Sequence, residues 1–272
     1  MTIAKSFTEV EATCCTTAHL ILKEHDKSYW VGGGGTPMMS ALLVQKLYLP
    51  DLTLVFEDGN ISAQPDLPID PMMAFVSGRI NYRANAWSTM NGVCGHCSLG
   101  LYDYGMLLTL QTDPYGNINS SMLGNDFYHP GRRFGGAGGA NEIASMCWRT
   151  ILHCPQEKRK FVKKIDFITS PGFLDGSPHA REKAGLPPNT GPYRVITPEA
   201  IFGFDEETHY MKLLGHSEWV TVKDVLDKMD FEPIVASKLE ILESPTEEEL
   251  QVLRVFIDPR GGTIGGGKWI NL

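Results

Sequence analysis

Apolar positions along the chain switch between a helical and a strand period, and the switches mark out a succession of elements. Val10, Cys14, Ala18, Ile21 and Leu22 fall on one helical face, which predicts a helix from residue 7 to about 24. Asp26 and Lys27 turn the chain, and SYWV (28–31) reads as a short strand. VGGGGTPMMSALLVQKLY (31–48) reads as a glycine loop opening a helix, with Thr36 suited to the N-cap and Pro37 to the first helical position. LTLVF (52–56) is the next strand and runs directly into Glu57, Asp58 and Gly59. The order strand, glycine loop, helix, strand is the signature of an α/β fold with parallel strands and a right-handed crossover.

Further strands are expected at MLLTLQ (106–111), TILHC (150–154), KIDFITS (164–170) and YRVIT (193–197). A hairpin is expected from AIFGF to YMKLL across DEETH (205–209). Thr221 caps a short helix reaching Met229, and Thr246 with Glu249 makes a capping box for a last helix to about Ile257. Residues 171–192 hold too much Pro and Gly for either element and predict a long loop. Neither repeats nor a linker interrupts the chain. The expectation is one domain over residues 1–272, with a mobile tail from about 260.

With 42% apolar and 21% charged residues, the chain is globular with a large core. Its formal net charge of −8 argues against nucleic acid or an anionic membrane as partner. An anionic substrate must therefore be held by local donors. No apolar run reaches the length of a membrane span, and the first residues lack the charged-then-apolar order of a secretory signal, so a cytoplasmic location is expected. Six cysteines follow no disulfide framework, and reduced thiols are the expectation there.

Several segments carry candidate chemistry, each beside a plain structural reading. Glu57 is either part of a solvated Asp-Gly turn or a carboxylate held by a rigid strand over a cleft. The glycine run Gly32–Gly35 is followed by Thr-Pro, whereas a P-loop needs Lys-Ser or Lys-Thr. As a dinucleotide fingerprint it gains from Glu57, 23 residues after Gly34, but fails at the third glycine, which is Pro37 or Met38. What survives is a set of backbone N–H groups at a helix start, suited to an anion or a carbonyl, or simply a close backbone approach. CGHC (94–97) equals a disulfide-isomerase tetrapeptide, yet GV precedes it and SLGLYDYG follows, with little helical promise. As a zinc half-site it lacks a second pair, so a buried or loop thiol pair is the reading. QTDPYGNINSS (111–121) is a capped turn, or a group of amide and hydroxyl donors at a strand end. In RRFGGAGGAN (132–141), four glycines in six residues allow close backbone approach and an oxyanion hole. Arg132 and Arg133 could hold a carboxylate or phosphate, or be merely solvated.

Taken together and in order, GGGGTP before a helix, FEDG after the next strand, DPYGNINSS and GAGGAN resemble the β-subunit of family I CoA-transferases, glutaconate-type enzymes above all. The resemblance continues through EKRKFVKKIDFITSPGFLDG (157–176) and GPYRVITPEAIFGFDEETHYM (191–211), and is weakest over the last dozen residues. It implies a three-layer α/β/α open, mostly parallel sheet. It puts Glu57 in the place of the family's catalytic glutamate, in Glu-x-Gly, with Asp58 where serine is often found. It makes the backbone of Gly138 and Gly139 the oxyanion loop, within a CoA-contacting stretch of Gly136, Ala137, Ala140 and Asn141. Asn119 matches the asparagine of Gly-Asn-x-Asn-Ser, and Gly33, Gly34 and Gly35 match the turn that lets the thioester lie near the glutamate.

The activity implied is transfer of CoA between an acyl-CoA and a carboxylate, a glutaconate-like dicarboxylate foremost, through a covalent glutamyl-CoA. It requires no metal, flavin, nicotinamide or other tightly bound cofactor. It also implies a separate α-subunit, in a heterotetramer or larger assembly. Relatives on the same scaffold hydrolyse or decarboxylate CoA esters, so Glu57 as a general base is the alternative. A nicotinamide-binding or thiol-redox protein is the alternative from another class.

Overall fold

The computed structural model describes residues 2–24, 26–68 and 78–264. The chain forms two compact units, Met1–Leu108 with Glu243–Leu272, and Thr109–Leu242.

The first unit begins with α1 (Glu9–Lys23), closed at its start by a capping box between Thr8 and Glu11. Then follow β1 (Tyr29–Gly32), α2 (Thr36–Leu47), β2 (Leu54–Phe56), β3 (Asn60–Ile61), β4 (Ala86–Trp87), α3 (Met90–Ser98) and β5 (Tyr104–Leu108). Strands β5, β1 and β2 pair in parallel; β3 and β4 continue the sheet antiparallel. Tyr29, Trp30, Val31, Leu54, Val55 and Phe56 are fully buried. Such unbroken apolar runs are what parallel strands covered on both faces require. Helix α2 is buried from Pro37 to Gln45 and packs on α1, β1 and β5. A helix apolar all round belongs in such an interior position.

In the second unit, β6 (Gln111–Thr112) and β7 (Ile118–Asn119) form one hairpin, and β8 (Met122–Leu123) and β9 (Arg132–Arg133) another. Helix α4 (Ala140–Met146), β10 (Arg149–His153), the single turn α5 (Ala180–Lys183), β11 (Pro192–Ile196), β12 (Ala200–Phe204), β13 (Met211–Ser217), α6 (Val222–Asp227) and β14 (Ile234–Leu242) follow. β10 pairs β11 in parallel, β11–β12–β13 run antiparallel, and β13 pairs β14 in parallel. The chain then re-enters the first unit with α7 (Glu247–Gln251) and a π-helical turn, Val252–Ile257, against which α2 also packs.

Most expected elements appear within a few residues of their predicted bounds; Thr221 caps its helix, with Asp224 completing a capping box, and the box of Thr246 and Glu249 forms. The differences have local causes. The cap of α2 is Gly35, at φ +74° and ψ −141°, a conformation Thr36 could not supply; Thr36 is the first helical residue. KIDFITS is no strand: among the described residues only Ser170 bridges, to Ile118, while Asp166 and Thr169 spend their oxygens on Gly124, Ser120 and Asn141. The CGHC segment is helical, because Thr89 caps α3 through the N–H of Gly92. β14 was not anticipated. Of the tail expected from about 260, residues 265–272 lie outside the described residues. No described helix is long and apolar enough to cross a membrane.

Candidate active site

In the first unit, Val31 stands opposite Phe56 in the parallel β1–β2 pair. The glycine turn and Glu57 therefore leave neighbouring strands at the same, carboxyl end, where open α/β sheets bind ligands. Gly33 has φ +114°, and a Cβ built on it would meet no described atom within 4 Å. No described residue fills the space above this turn. Glu57 is only 9% exposed although it follows the last strand residue. Hydrogen bonds brace the turn that holds it. The N–H of Gly59 donates to the Phe56 carbonyl (3.1 Å), and that of Ser88 to the Gly59 carbonyl (2.8 Å). Asn60, 2% exposed, donates through Nδ2 to Asp58 Oδ1 (2.6 Å) and Asn81 Oδ1 (2.8 Å). Glu57 is thus a mostly buried carboxylate in a braced turn, not a residue of a solvated loop.

In the second unit, the DPYGNINSS segment is a frame. Asp113 Oδ1 accepts from the N–H groups of Tyr115 (3.0 Å) and Asn117 (3.1 Å), and burial raises its carboxyl above the usual range. Asn117, 1% exposed, donates to Asp113 Oδ2 and the Leu174 carbonyl and accepts from the N–H groups of Gly172 and Leu174. Asn119 is equally occupied. Its Nδ2 donates to Gln111 Oε1 (2.9 Å) and the Met122 carbonyl (2.7 Å), and its Oδ1 accepts from the N–H groups of Ser121 and Met122. The Asn119 amide therefore shapes the loop.

That frame carries GAGGAN. The N–H of Gly136 donates to the Ser120 carbonyl, and Ser120 Oγ donates to the Gly136 carbonyl, both at 3.0 Å. Thr169 joins the pieces: its Oγ1 accepts from the Ser120 N–H (2.9 Å), and its carbonyl accepts from Asn141 Nδ2 (3.0 Å). Gly136 (φ +89°) and Gly138 (φ +50°) turn the chain so that Gly139 can start α4. A Cβ on Gly135 or Gly136 would meet no described atom within 4 Å, so this loop too borders open space. Gly138 is exposed, and Ala137 and Ala140 are half-buried.

Within the first unit, then, Gly33, Gly34 and Gly35 follow the strand that pairs with the one ending before Glu57; within the second, Asn119 is bonded into the frame that holds Gly136 to Asn141. Arg132 and Arg133 are exposed on β9, with the Arg133 guanidinium over the Phe127 ring at 4.6 Å. Cys94 and Cys97 lie on α3 outside any disulfide, and no group of three His, Cys, Asp or Glu among the described residues could hold a metal ion. Sequence reasoning passed over Asn117 and Thr169 as supports of the loop. An asparagine two residues before Asn119 was the available signal for the first; nothing local marks the second.

The Coenzyme A transferase family profile matches residues 25–228. The chain is 35% identical to the β-subunit of glutaconate CoA-transferase from Acidaminococcus fermentans over 235 residues, covering 84% of this chain and 85% of that one. It is 32% identical to the β-subunit of 3-oxoadipate CoA-transferase from Pseudomonas knackmussii, covering 82% and 84%. The crystal structure of glutaconate CoA-transferase from A. fermentans superimposes with a TM-score of 0.84 at 32% identity, covering 98% of both chains. The α/β architecture expected from the motifs is the one that structure shares.

Proposed function

The chain belongs to the coenzyme A transferase family, and from that premise we propose that it is the β-subunit of a heteromeric acyl-CoA:carboxylate CoA-transferase. The observation that carries the reading is Glu57, a mostly buried carboxylate at the carboxyl end of β2, next to a glycine turn with open space above it. In bulk water a carboxylate is a weak nucleophile. Fixed on a strand end and largely stripped of water, Glu57 is a competent one toward a thioester carbonyl.

Glu57 attacks the acyl-CoA carbonyl, and the C–S bond breaks to give an acyl-glutamyl anhydride and CoA thiolate. The thiolate attacks the glutamyl carbonyl, forming a glutamyl-CoA thioester and releasing the acyl group as a carboxylate. An acceptor carboxylate then attacks that thioester and the two steps run in reverse, restoring Glu57. Each tetrahedral intermediate needs N–H donors for its oxyanion, the role that the resemblance to family I CoA-transferases implies for the backbone of Gly138 and Gly139. Losing one such donor costs about 3–4 kcal/mol. Asn119 acts by holding the loop, since its own amide is fully engaged.

CoA thioesters are substrates, and no tightly bound cofactor takes part. A separate α-subunit completes the enzyme, in keeping with relatives that are themselves named as single subunits of their transferases. The acceptor is a dicarboxylate of the glutaconate kind, from the relative with 35% identity. The test is product identity. The chain co-expressed with its α-subunit should convert acetyl-CoA plus glutaconate into glutaconyl-CoA mole for mole, and release little free CoA without glutaconate. CoA release independent of any carboxylate acceptor would contradict transfer and favour Glu57 as a general base.

A further inference from the structure

The second unit contains a buried arginine that the catalytic scheme does not use. Arg181 lies in α5, within the Pro- and Gly-rich loop, and is 5% exposed. Its hydrogen bonds join three stretches of chain. Nη2 donates to the carbonyls of Ala144 (3.0 Å) and Ser145 (3.2 Å) in the last turn of α4, and to Thr190 Oγ1 (2.9 Å). Nη1 donates to the carbonyls of Gly172 (2.7 Å) and Pro171 (3.3 Å). Nε has no hydrogen-bond partner among the described residues. A guanidinium matched to carbonyls at a helix C-terminus satisfies both the acceptors and the local dipole.

These bonds close a ring. From Ser145 the chain runs back through α4 to Asn141, whose Nδ2 donates to the Thr169 carbonyl at 3.0 Å. From Thr169 the chain runs to Gly172, which Arg181 ties to Ser145. Thr169 Oγ1 also receives the Ser120 N–H, and Ser120 grips Gly136 from both sides. Both ends of the stretch Gly136–Asn141 are therefore anchored to this ring. We propose that Arg181 is a positioning residue for the transfer reaction: it fixes the Gly138–Gly139 backbone through α4 and Thr169 without touching substrate. The proposal rests on the oxyanion assignment above. Lysine at 181 keeps the charge but replaces the planar fork by one nitrogen with three protons, so it cannot keep all five of the bonds to 144–145, 171–172 and Thr190.

The test is Arg181→Lys in the assembled enzyme, alone and combined with Gly138→Ala. A displacement near 1 Å lowers turnover about a hundredfold. The expected result is a kcat loss of about ten- to a hundredfold with KM for acyl-CoA unchanged, and little added loss in the Gly138→Ala background, because both changes damage the same element. Circular dichroism and size-exclusion chromatography should show a folded, assembled enzyme. The inference is overturned by wild-type kcat in Arg181→Lys, by losses that multiply in the double variant, or by a loss that merely tracks the unfolded fraction. Should Arg181→Lys not fold, Thr190→Val, which removes the bond from Nη2 to Thr190, must lower kcat alone, and an unchanged kcat there has the same force. Failure of the transferase reading is seen separately, as absence of any Glu57 adduct in the wild-type enzyme.

Discussion

Replacing Gly59 by alanine would test whether the Glu57 turn is as rigid as its bonding implies. Gly59 has φ +113°, and a Cβ there would lie 2.4 Å from the Ser88 carbonyl oxygen and 2.7 Å from its carbon. The oxygen cannot easily give way. The Ser88 N–H is bonded to the Gly59 carbonyl, and Trp87 is registered with Asn60 in the β3–β4 pair. Backbone strain of this kind costs about 1–3 kcal/mol, and overpacking about the same again. Relief means shifting the turn. An ordinary carbon–oxygen contact is roughly 3.3 Å, so the shortfall is about 0.9 Å, enough to lower turnover about a hundredfold. The assays are steady-state transfer and thermal melting of the assembled enzyme. Gly95→Ala is the control: it lies inside α3 with nothing described within 4 Å of its Cβ, and should raise stability by about 0.5–1 kcal/mol with activity intact. Wild-type kcat and melting temperature in Gly59→Ala would refute the reasoning.

Three further outcomes are expected. Asn117→Ala removes four hydrogen bonds at a site 1% exposed, and should destabilise the second unit by about 3–5 kcal/mol in a denaturant melt; a loss under about 1 kcal/mol would show that the loop re-bonds easily. Burial alone would raise the Glu11 carboxyl, but the Arg254 guanidinium and the Thr8 N–H outweigh it and hold Glu11 below its ordinary value. The resulting stability is present above the unfolded carboxylate range and disappears as pH falls through the depressed value, so Arg254→Met should move the acid unfolding midpoint, followed by circular dichroism, to higher pH; an unmoved midpoint would contradict this. Cys94→Ser with Cys97→Ser should leave acyl transfer unchanged, and metal analysis of the native enzyme should find no stoichiometric zinc; a collapse of turnover in a folded variant would reinstate a thiol role.

Elements whose own residues carry the signal were legible in the sequence. Glycine run, helix and apolar strand between residues 29 and 56 reproduce β1, α2 and β2, because buried parallel strands and a buried helix need those residue types. Thr221 announced its helix as a cap, and Thr246 with Glu249 as a capping box. What failed depended on partners distant in sequence. KIDFITS has a strand-like pattern, yet its oxygens serve residues some 28 to 49 positions away, and alternation alone does not reveal that. β14 alternates poorly because most of its side chains are exposed, so no face is marked. At the site, Glu57 and the glycines could be named from their motifs. That Glu57 is nearly buried, and that Asn119 has no donor to spare, are properties of packing and bonding.

Covalent transfer stands or falls on Glu57 as nucleophile. The direct measurement is to incubate the assembled enzyme with acyl-CoA, without acceptor, and treat it with borohydride or hydroxylamine. Peptide mass spectrometry should then find Glu57 converted to the alcohol or the hydroxamate within residues 51–60, and Glu57→Gln should show neither product nor transfer. An unmodified Glu57 in enzyme that is steadily turning over labelled acyl-CoA would contradict the covalent mechanism.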